Sequence, residues 1–318
     1  MSFSKDLIKI DPRIETEKIV AKLLDDVGNK LRKRGAVVGV SGGIDSSLVL
    51  ALCVTAFGNE RVLAIGMPEK DSSPENFIVT QKLIDKFKPN FTIEDLTAAQ
   101  YGFKTYERRD EAIKKVFPEY DLGYKVKIGI PNNLLEKKSL NVFHVTIIAP
   151  DGAEKSARLP INEYLQIVAA SNFKQRSRMC MLYYHAERLN YAVIGTGNKN
   201  EHALGFFVKY GDGGADVKPI AHLFKSQVYQ LAEYLEVPEE IRRRTPTTDT
   251  YSAEQTQEEF FFRMPYHTLD LIWAAWEQGC SSADIAAGLD INVDQVDFII
   301  KDIQQKQSTT NYLRMEPL

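Results

Sequence analysis

The residues best suited to chemistry lie together at Ser41-Gly42-Gly43-Ile44-Asp45-Ser46-Ser47. Two glycines let the main chain approach an anion without a Cβ in the way, and successive N–H groups of such a turn form an anion-binding nest. Ser41, Ser46 and Ser47 add hydroxyl donors. The helix expected over Ser46 to Phe57 directs its positive end at the same point. Asp45 would repel a bare phosphate, so its place in this group points to a bridging Mg²⁺. The loop is not a Walker loop, because no Gly-Lys-Ser/Thr follows, and it lacks the G-x-G-x-x-G dinucleotide fingerprint.

A second block, Ile194 to Ile220 (IGTGNKNEHALGFFVKYGDGGADVKPI), offers complementary groups. Gly195-Thr196-Gly197 reads as a turn at a strand end, where open α/β sheets bind ligands. Glu201 supplies a second carboxylate near that edge and with Asp45 would complete a Mg²⁺ site otherwise filled by phosphate oxygens and water. Residues 205–216, with the run Lys209-Tyr210-Gly211-Asp212-Gly213-Gly214, have the composition of a mobile lid carrying a lysine that could reach an anion. A solvated glycine loop has the same composition.

The surrounding pattern must hold these loops in place. Thr16 to Arg34 carries apolar residues at helical spacing, and Ala36 to Val40 reads as a short buried strand. Arg61 to Met67 and Phe91 to Leu96 read as strands flanking a helix over Ser73 to Phe87. The alternation returns with a long helix at Asn162 to Leu189, a strand at Ala192 to Gly195, a weak strand at Asp216 to Ile220 and a helix at Phe224 to Leu235. Strands alternating with helices imply parallel βαβ units, hence a doubly wound α/β sheet of Rossmann-like type. Residues 120–160 break the rhythm. Tyr124 to Ile130, Asn141 to Ala149 and Lys155 to Leu159 read as extended segments around a Pro150-Asp151-Gly152 turn, so an inserted β-hairpin is expected. Residues 238–307 read as a helical subregion, all within one domain spanning 1–318.

Composition removes several classes of function. Of 318 residues, 40 are basic and 43 acidic, a net charge of −3 that gives nucleic acid no global attraction. No apolar run approaches the roughly 18 residues of a membrane span, and the polar start is no secretory signal. Three cysteines, Cys53, Cys180 and Cys280, lie far apart and suit a reducing, cytoplasmic setting. Cys53 and Cys180, set among apolar residues, are each expected to be a buried, inert thiol. The helix-turn-helix outline at 280–307 carries acidic residues where a DNA reader needs basic ones, so a packing helical pair is expected. Arg242-Arg243-Arg244 reads as a solvated helix end, Trp273 and Trp276 as core or dimer contacts, and the five histidines lack metal-ligand spacing.

At Ser41 to Ser47 the chain resembles the PP-loop ATP pyrophosphatases, which share an adenine-nucleotide alpha-hydrolase-like fold. The second block, GTGN-x-x-E followed by F-x-x-KYGDGG-x-D, together with the upstream Asn172-x-x-x-Arg176-x-Arg178-Met179, is similar to the NAD synthetase family of that superfamily, in its ammonia-dependent form. The resemblance implies a ligase that joins ammonia to deamido-NAD, cleaving ATP to AMP and pyrophosphate through an acyl-adenylate. It assigns the ATP phosphates to Ser41, Gly42, Gly43, Asp45, Ser46, Ser47 and Lys225, further ATP contacts to Thr196 and Thr247, and Mg²⁺ to Asp45 and Glu201. Arg176, Lys209 and Asp216 would contact deamido-NAD. Asp45 and Lys225 would carry the catalytic step.

Nothing ahead of the PP-loop offers room for a fused glutaminase. The expected nitrogen source is therefore free ammonia or ammonia handed over by a separate glutaminase, and the expected assembly, by family resemblance, is a homodimer. Departures from the family pattern fall on the tail Thr309-Thr310-Asn311-Tyr312-Leu313-Arg314, on Gln255-Thr256-Gln257-Glu258 and on the 120–160 insert. These leave open an amidating ligase of the same chemistry acting on a different carboxylated substrate. A nucleotide-binding protein without turnover is the third reading, and Asp45, Glu201 and Lys225 speak against it.

Overall fold

The structure, a computed structural model, describes residues 3–121, 123–130, 134, 142–247 and 250–316. Helix α1 (Pro12–Leu24) starts on an Asp11 cap that accepts from the amides of Arg13 and Ile14, each at 3.0 Å, with proline at its first position. It runs into a wider turn at Asp25–Lys30, so the helix expected to Arg34 ends several residues early. Strand β1 (Ala36–Val40), helix α2 (Ile44–Phe57), strand β2 (Val62–Gly66), helix α3 (Pro74–Phe87) and strand β3 (Asn90–Ile93) follow in the expected alternation. After α4 (Thr97–Gly102) and α5 (Thr105–Val116), two helices the sequence pattern did not separate, come strands β4 (Lys125–Gly129), β5 (His144–Ile148) and β6 (Glu154–Arg158). The long α6 (Ile161–Leu189) leads to β7 (Ala192–Ile194), α7 (Lys199–Leu204) and α8 (Lys225–Tyr234).

The main sheet is parallel, in the order β3-β2-β1-β7, with Ala36 opposite both Val62 and Ala192. The weak strand expected at 216–220 contributes only a parallel bridge between Val217 and Ile194. β1 and β2 are apolar along their length because helices cover both faces. On one side Val38, Val40, Leu48, Leu52, Val228 and Leu231 form the principal core. On the other, Val37, Leu63, Ile65 and Val193 pack under Leu182 and Ala186 of α6.

The insert is larger than a hairpin. β4, β5 and β6 make a three-stranded antiparallel sheet, with Val126 opposite Ile147 and Ile128 opposite Val145. Those four side chains alternate inward and share a core with Ala112 and Ile113 of α5 and Ile167 of α6. A two-stranded hairpin could not bury enough apolar surface by itself, and the third strand with the two helices supplies it. Asn141, assigned from sequence to the second segment, lies outside the described residues.

Beyond Pro238 the chain is less helical than its composition suggests. α9 (Glu239–Arg243) is followed by an irregular stretch whose Thr247 bridges antiparallel to Thr256, and helices resume at α10 (Tyr266–Glu277), α11 (Ser282–Leu289) and α12 (Val293–Thr309). The last three pack around a fully buried Trp273, with Ile285, Val296 and Ile299 among its neighbours in that core, so the helix-turn-helix outline is a packing pair. Trp276 is partly buried against the same cluster.

Candidate active site

The turn between β1 and α2 has the geometry its composition requires. Gly42 sits at φ +76°, and a Cβ there would lie 2.5 Å from Val79 Cγ2 and 3.1 Å from the Asn76 carbonyl. Only glycine satisfies both demands. Gly43 caps α2, and the hydroxyls of Ser46 and Ser47 fold back on its carbonyl at 3.1 and 2.8 Å. The Ser41 amide donates to Ser46 Oγ at 3.3 Å, which draws the loop tight. Ser41, Gly42, Gly43, Asp45 and Ser46 line a cavity of about 640 Å³, as do Thr196, Glu201 and Thr247. Ser47 is fully buried behind them and shapes the loop.

Asp45 projects from the first turn of α2 and is gripped twice. Its Oδ2 accepts from the ammonium of Lys225, and its Oδ1 from Asn198 Nδ2 at 3.0 Å. Lys225, fully buried, opens α8, and its backbone amide donates to Asn200 Oδ1 at 3.0 Å. Asn200 in turn donates to Asp270 at 2.6 Å, and the other oxygen of Asp270 accepts from the amide and hydroxyl of Ser226. A buried relay of amides and carboxylates therefore fixes the start of α8, and with it the lysine. Burial alone would lower the Lys225 ammonium, but Asp45 and Glu201 outweigh it and hold it above the usual lysine range.

Asn198 is the residue sequence reasoning missed. It caps α7 by accepting from the Glu201 amide at 3.1 Å while Glu201 Oε2 accepts from its own amide, also at 3.1 Å. Its side-chain amide meanwhile reaches Asp45, so one capping box orients both carboxylates. The Asn-x-x-Glu spacing before a helix was the available signal. Burial of the Glu201 carboxyl, then the negative charge of Asp45, pushes Glu201 up to about 8. Once Glu201 gives up its proton, two carboxylates facing one ammonium leave a surplus negative charge beside the N-terminus of α2. That donor set fits a divalent cation whose other ligands are phosphate oxygens and water. Among the described residues no group of three or more His, Cys, Asp and Glu comes together to hold a metal.

The residues expected to meet the acyl substrate gather elsewhere. Arg176, Lys209 and Asp216 are not in the cavity wall. Arg176 Nε donates to the Lys209 carbonyl at 3.4 Å. Lys209 Nζ donates to the carbonyls of Tyr312 and Met315, both at 3.1 Å. Asp216 accepts from the Tyr183 hydroxyl at 3.0 Å and the Val193 amide at 2.8 Å. The tail reaches the lid because Gly205, at φ +77°, leaves room for Thr310, whose Cβ lies 2.3 Å from where a side chain would begin. The 205–216 segment, expected from sequence to be a lid, presents Phe206, Phe207 and Val208 to the cavity and not its lysine.

Three positively charged residues that sequence reasoning left unassigned line the cavity: Arg178, Lys218 and Arg244. Arg178 Nε also holds the Met67 carbonyl at 3.3 Å. The expectation of a solvated arginine run at 242–244 is corrected here. Arg243 pairs with Glu239 and Arg242 caps the Val237 carbonyl, but Arg244 follows the helix end and turns into the cavity. The cysteines also divide. Cys53 and Cys280 are buried, whereas Cys180 is exposed on α6, contrary to the buried thiol expected from its apolar neighbours. Its helical phase puts it on the solvent side, four residues before exposed Tyr184.

Comparison with known proteins agrees with this architecture. The NAD synthase family model matches residues 15–118 and 128–313, a gap of nine residues falling where the insert begins. The NH3-dependent NAD(+) synthetase of Rhizobium rhizogenes is 48% identical over 317 residues, covering 100% of this chain and 95% of its own. That of Rhizobium meliloti is 47% identical, covering 99% and 94%. Among solved structures, NMN synthetase from Francisella tularensis superposes with a TM-score of 0.67 at 22% identity, covering 98% of each chain. The NH3-dependent NAD synthetase of Campylobacter jejuni gives 0.59 at 23%, covering 97% and 99%, and these two distant likenesses bear on the fold. With its phosphate loop, its capping box and a family match over most of its length, the chain belongs to the NAD synthase family.

Proposed function

We propose that the cavity joins ammonia to the nicotinate carboxylate of deamido-NAD, with ATP as co-substrate. The observation carrying this reading is the Asp45–Lys225–Glu201 group, locked by Asn198 at the positive end of α2, in a chain so similar to named NH3-dependent NAD(+) synthetases. The carboxylate attacks the ATP α-phosphorus and pyrophosphate departs. Ammonia then attacks the adenylate carbonyl, loses a proton, and AMP leaves with the amide formed. The main-chain amides at 41–43 and the hydroxyls of Ser41 and Ser46 cradle the phosphates, and Thr196 and Thr247 hold the nucleotide from the opposite walls. Lys225 offsets charge on the departing pyrophosphate without reorganising, since its position is fixed before substrate arrives. Mg²⁺, held by Asp45 and Glu201 with phosphate oxygens and water, would supply the remaining neutralisation of pyrophosphate charge. No side chain is needed as a nucleophile, so positioning and electrostatics carry the rate.

Arg176, Lys209 and Asp216 take the dinucleotide at the cavity's outer edge in this reading. A homodimer is proposed, with the exposed Ile161, Leu165 and Tyr184 of α6 among the large apolar side chains available to its interface. No helix among the described residues is long and apolar enough to cross a membrane. We place the enzyme in the cytoplasm, supplied with free ammonia or by a separate glutaminase.

The test is to mix protein, Mg²⁺-ATP, an ammonium salt and deamido-NAD and to follow NAD and AMP together. Equal amounts of both, reduced about 10³-fold or more in Asp45→Ala, are expected. ATP binding without turnover of deamido-NAD would sink the substrate assignment. It would favour another carboxylated substrate shaped to the insert wall of Ile128, Phe143 and Tyr164.

A further inference from the structure

Behind the cavity wall lies a second charged group that the mechanism above does not use. Lys174, on the inner face of α6, is 1% exposed. Its ammonium donates to Asp71 Oδ2 at 2.6 Å, to the Thr250 carbonyl at 2.9 Å and to Glu69 Oε1 at 3.0 Å. All three of its hydrogens are thus engaged. Asp71 also accepts from Arg109 at 2.6 Å, and Glu69 from the Tyr106 hydroxyl at 2.5 Å. Glu69, Asp71, Arg109 and Lys174 have side chains no more than 5% exposed, two negative and two positive.

A buried charge group of this kind is a poor source of stability, because well-packed apolar residues of similar volume usually do as well or better. What it provides here is connection. Glu69 and Ser72 line the cavity from the segment after β2; Thr247 and Thr250 line it from the stretch after α9. Those two segments are not adjacent in sequence, and Lys174 Nζ bonds to both. Among the described residues between α9 and α10 there are one bridge, Thr247 to Thr256, and one wide helical turn at Glu258–Phe262, and Thr250 belongs to neither.

We infer that Lys174 is a positioning residue for nucleotide binding. By holding the Thr250 carbonyl against Glu69 and Asp71, it sets the loop that carries Thr247 into the ATP cavity. The inference rests on the assignment of Thr247 as an ATP contact, and it is independent of which carboxylate the enzyme activates.

The test is a thermodynamic cycle read by calorimetric binding of Mg²⁺-α,β-methylene-ATP, which needs no turnover. Thr247→Ala in the parent should weaken binding about tenfold, the ordinary cost of losing a hydrogen bond to a charged group. Lys174→Met should weaken it to a similar degree, and Thr247→Ala added to Lys174→Met should cost less than twofold more. Lys174→Met/Asp71→Asn, which removes one positive and one negative charge together, serves if the single variant does not fold. A full tenfold effect of Thr247→Ala in either Lys174→Met background would overturn the inference, even if the melting temperature had fallen. An effect below twofold in the parent would remove Thr247 from the site and the inference with it. Loss of NAD formation with this coupling intact would instead count against deamido-NAD as the substrate.

Discussion

The two ends of the site are built by different means. At the end proposed to take the phosphates, three charged groups are each held by the start of a helix: Asp45 by α2, Glu201 by α7 and Lys225 by α8. These groups meet in a buried knot tied by Asn198. The residues proposed for the other end, Arg176, Lys209 and Asp216, are spread over α6 and the 205–216 segment, and the Lys209 ammonium is held by two carbonyls of the C-terminal tail. Helix starts are rigid and their amides need partners, so they deliver charge with little freedom. A tail strapped over a lid can be altered without disturbing a core.

The comparison can be broken by substitution. The largest effect is expected at the knot. Lys225→Met should lower pyrophosphate release by about 10³-fold, as for loss of a pre-set charge stabiliser. Single-turnover assays would show it, and a drop of under tenfold would mean the lysine only balances Asp45.

The next effect is on metal binding. Because Glu201 is pushed up to about 8, a proton would compete below that pH with the Mg²⁺ proposed to bind there. Mg²⁺ affinity in the presence of nucleotide should therefore rise as pH increases towards 8, by up to about tenfold per unit, and level off above it. Glu201→Gln should flatten the profile. An unchanged slope in that variant would place the titrating group elsewhere.

The smallest effect belongs to the tail. Arg314 anchors it through the carbonyls of His202 and Gln307 at 3.1 and 2.8 Å. Arg314→Ala should raise the KM for deamido-NAD by about fivefold, the cost of roughly one hydrogen bond's worth of preorganisation, and leave the KM for ATP unchanged. Equal shifts in both constants would erase the proposed separation between the ends.

The same division decided what the sequence could disclose. Ser41 to Ser47 sit where a strand, a glycine turn and a helix follow within a dozen residues, so their arrangement was readable from local pattern. Strand β1 lies at Ala36 to Val40 as expected. Asn198 was within reach, since its capping box is a four-residue signal. The relay from Asn200 to Asp270 joins residues 70 apart, and Lys174 meets Glu69 across 105. Neither spacing has a periodicity to betray it. The stretch after α9 was read as helical with the rest of 238–307, while the bridge of Thr247 to Thr256 joins residues nine apart and leaves no periodic signal. Arg244 was misplaced for a related reason, since one residue beyond a helix end the direction of a side chain is set by what the chain meets next. All three extended segments of the insert were legible, Lys155 to Leu159 included, but the pairing of β4 with β5 was not, because no tight turn joins those two strands as Pro150-Asp151-Gly152 joins β5 to β6.

Helix α6 imposes a rule on how this chain can change its length. Its 29 residues span about 44 Å without interruption, from Tyr164 at the insert wall through Lys174 to Ala186 under the main sheet. One residue gained or lost within it would rotate everything beyond by about 100° and turn a buried face outward. Insertions and deletions in descendants of this gene should therefore spare α6. In a library of random single-codon deletions, the survivors would trace that helix as a gap.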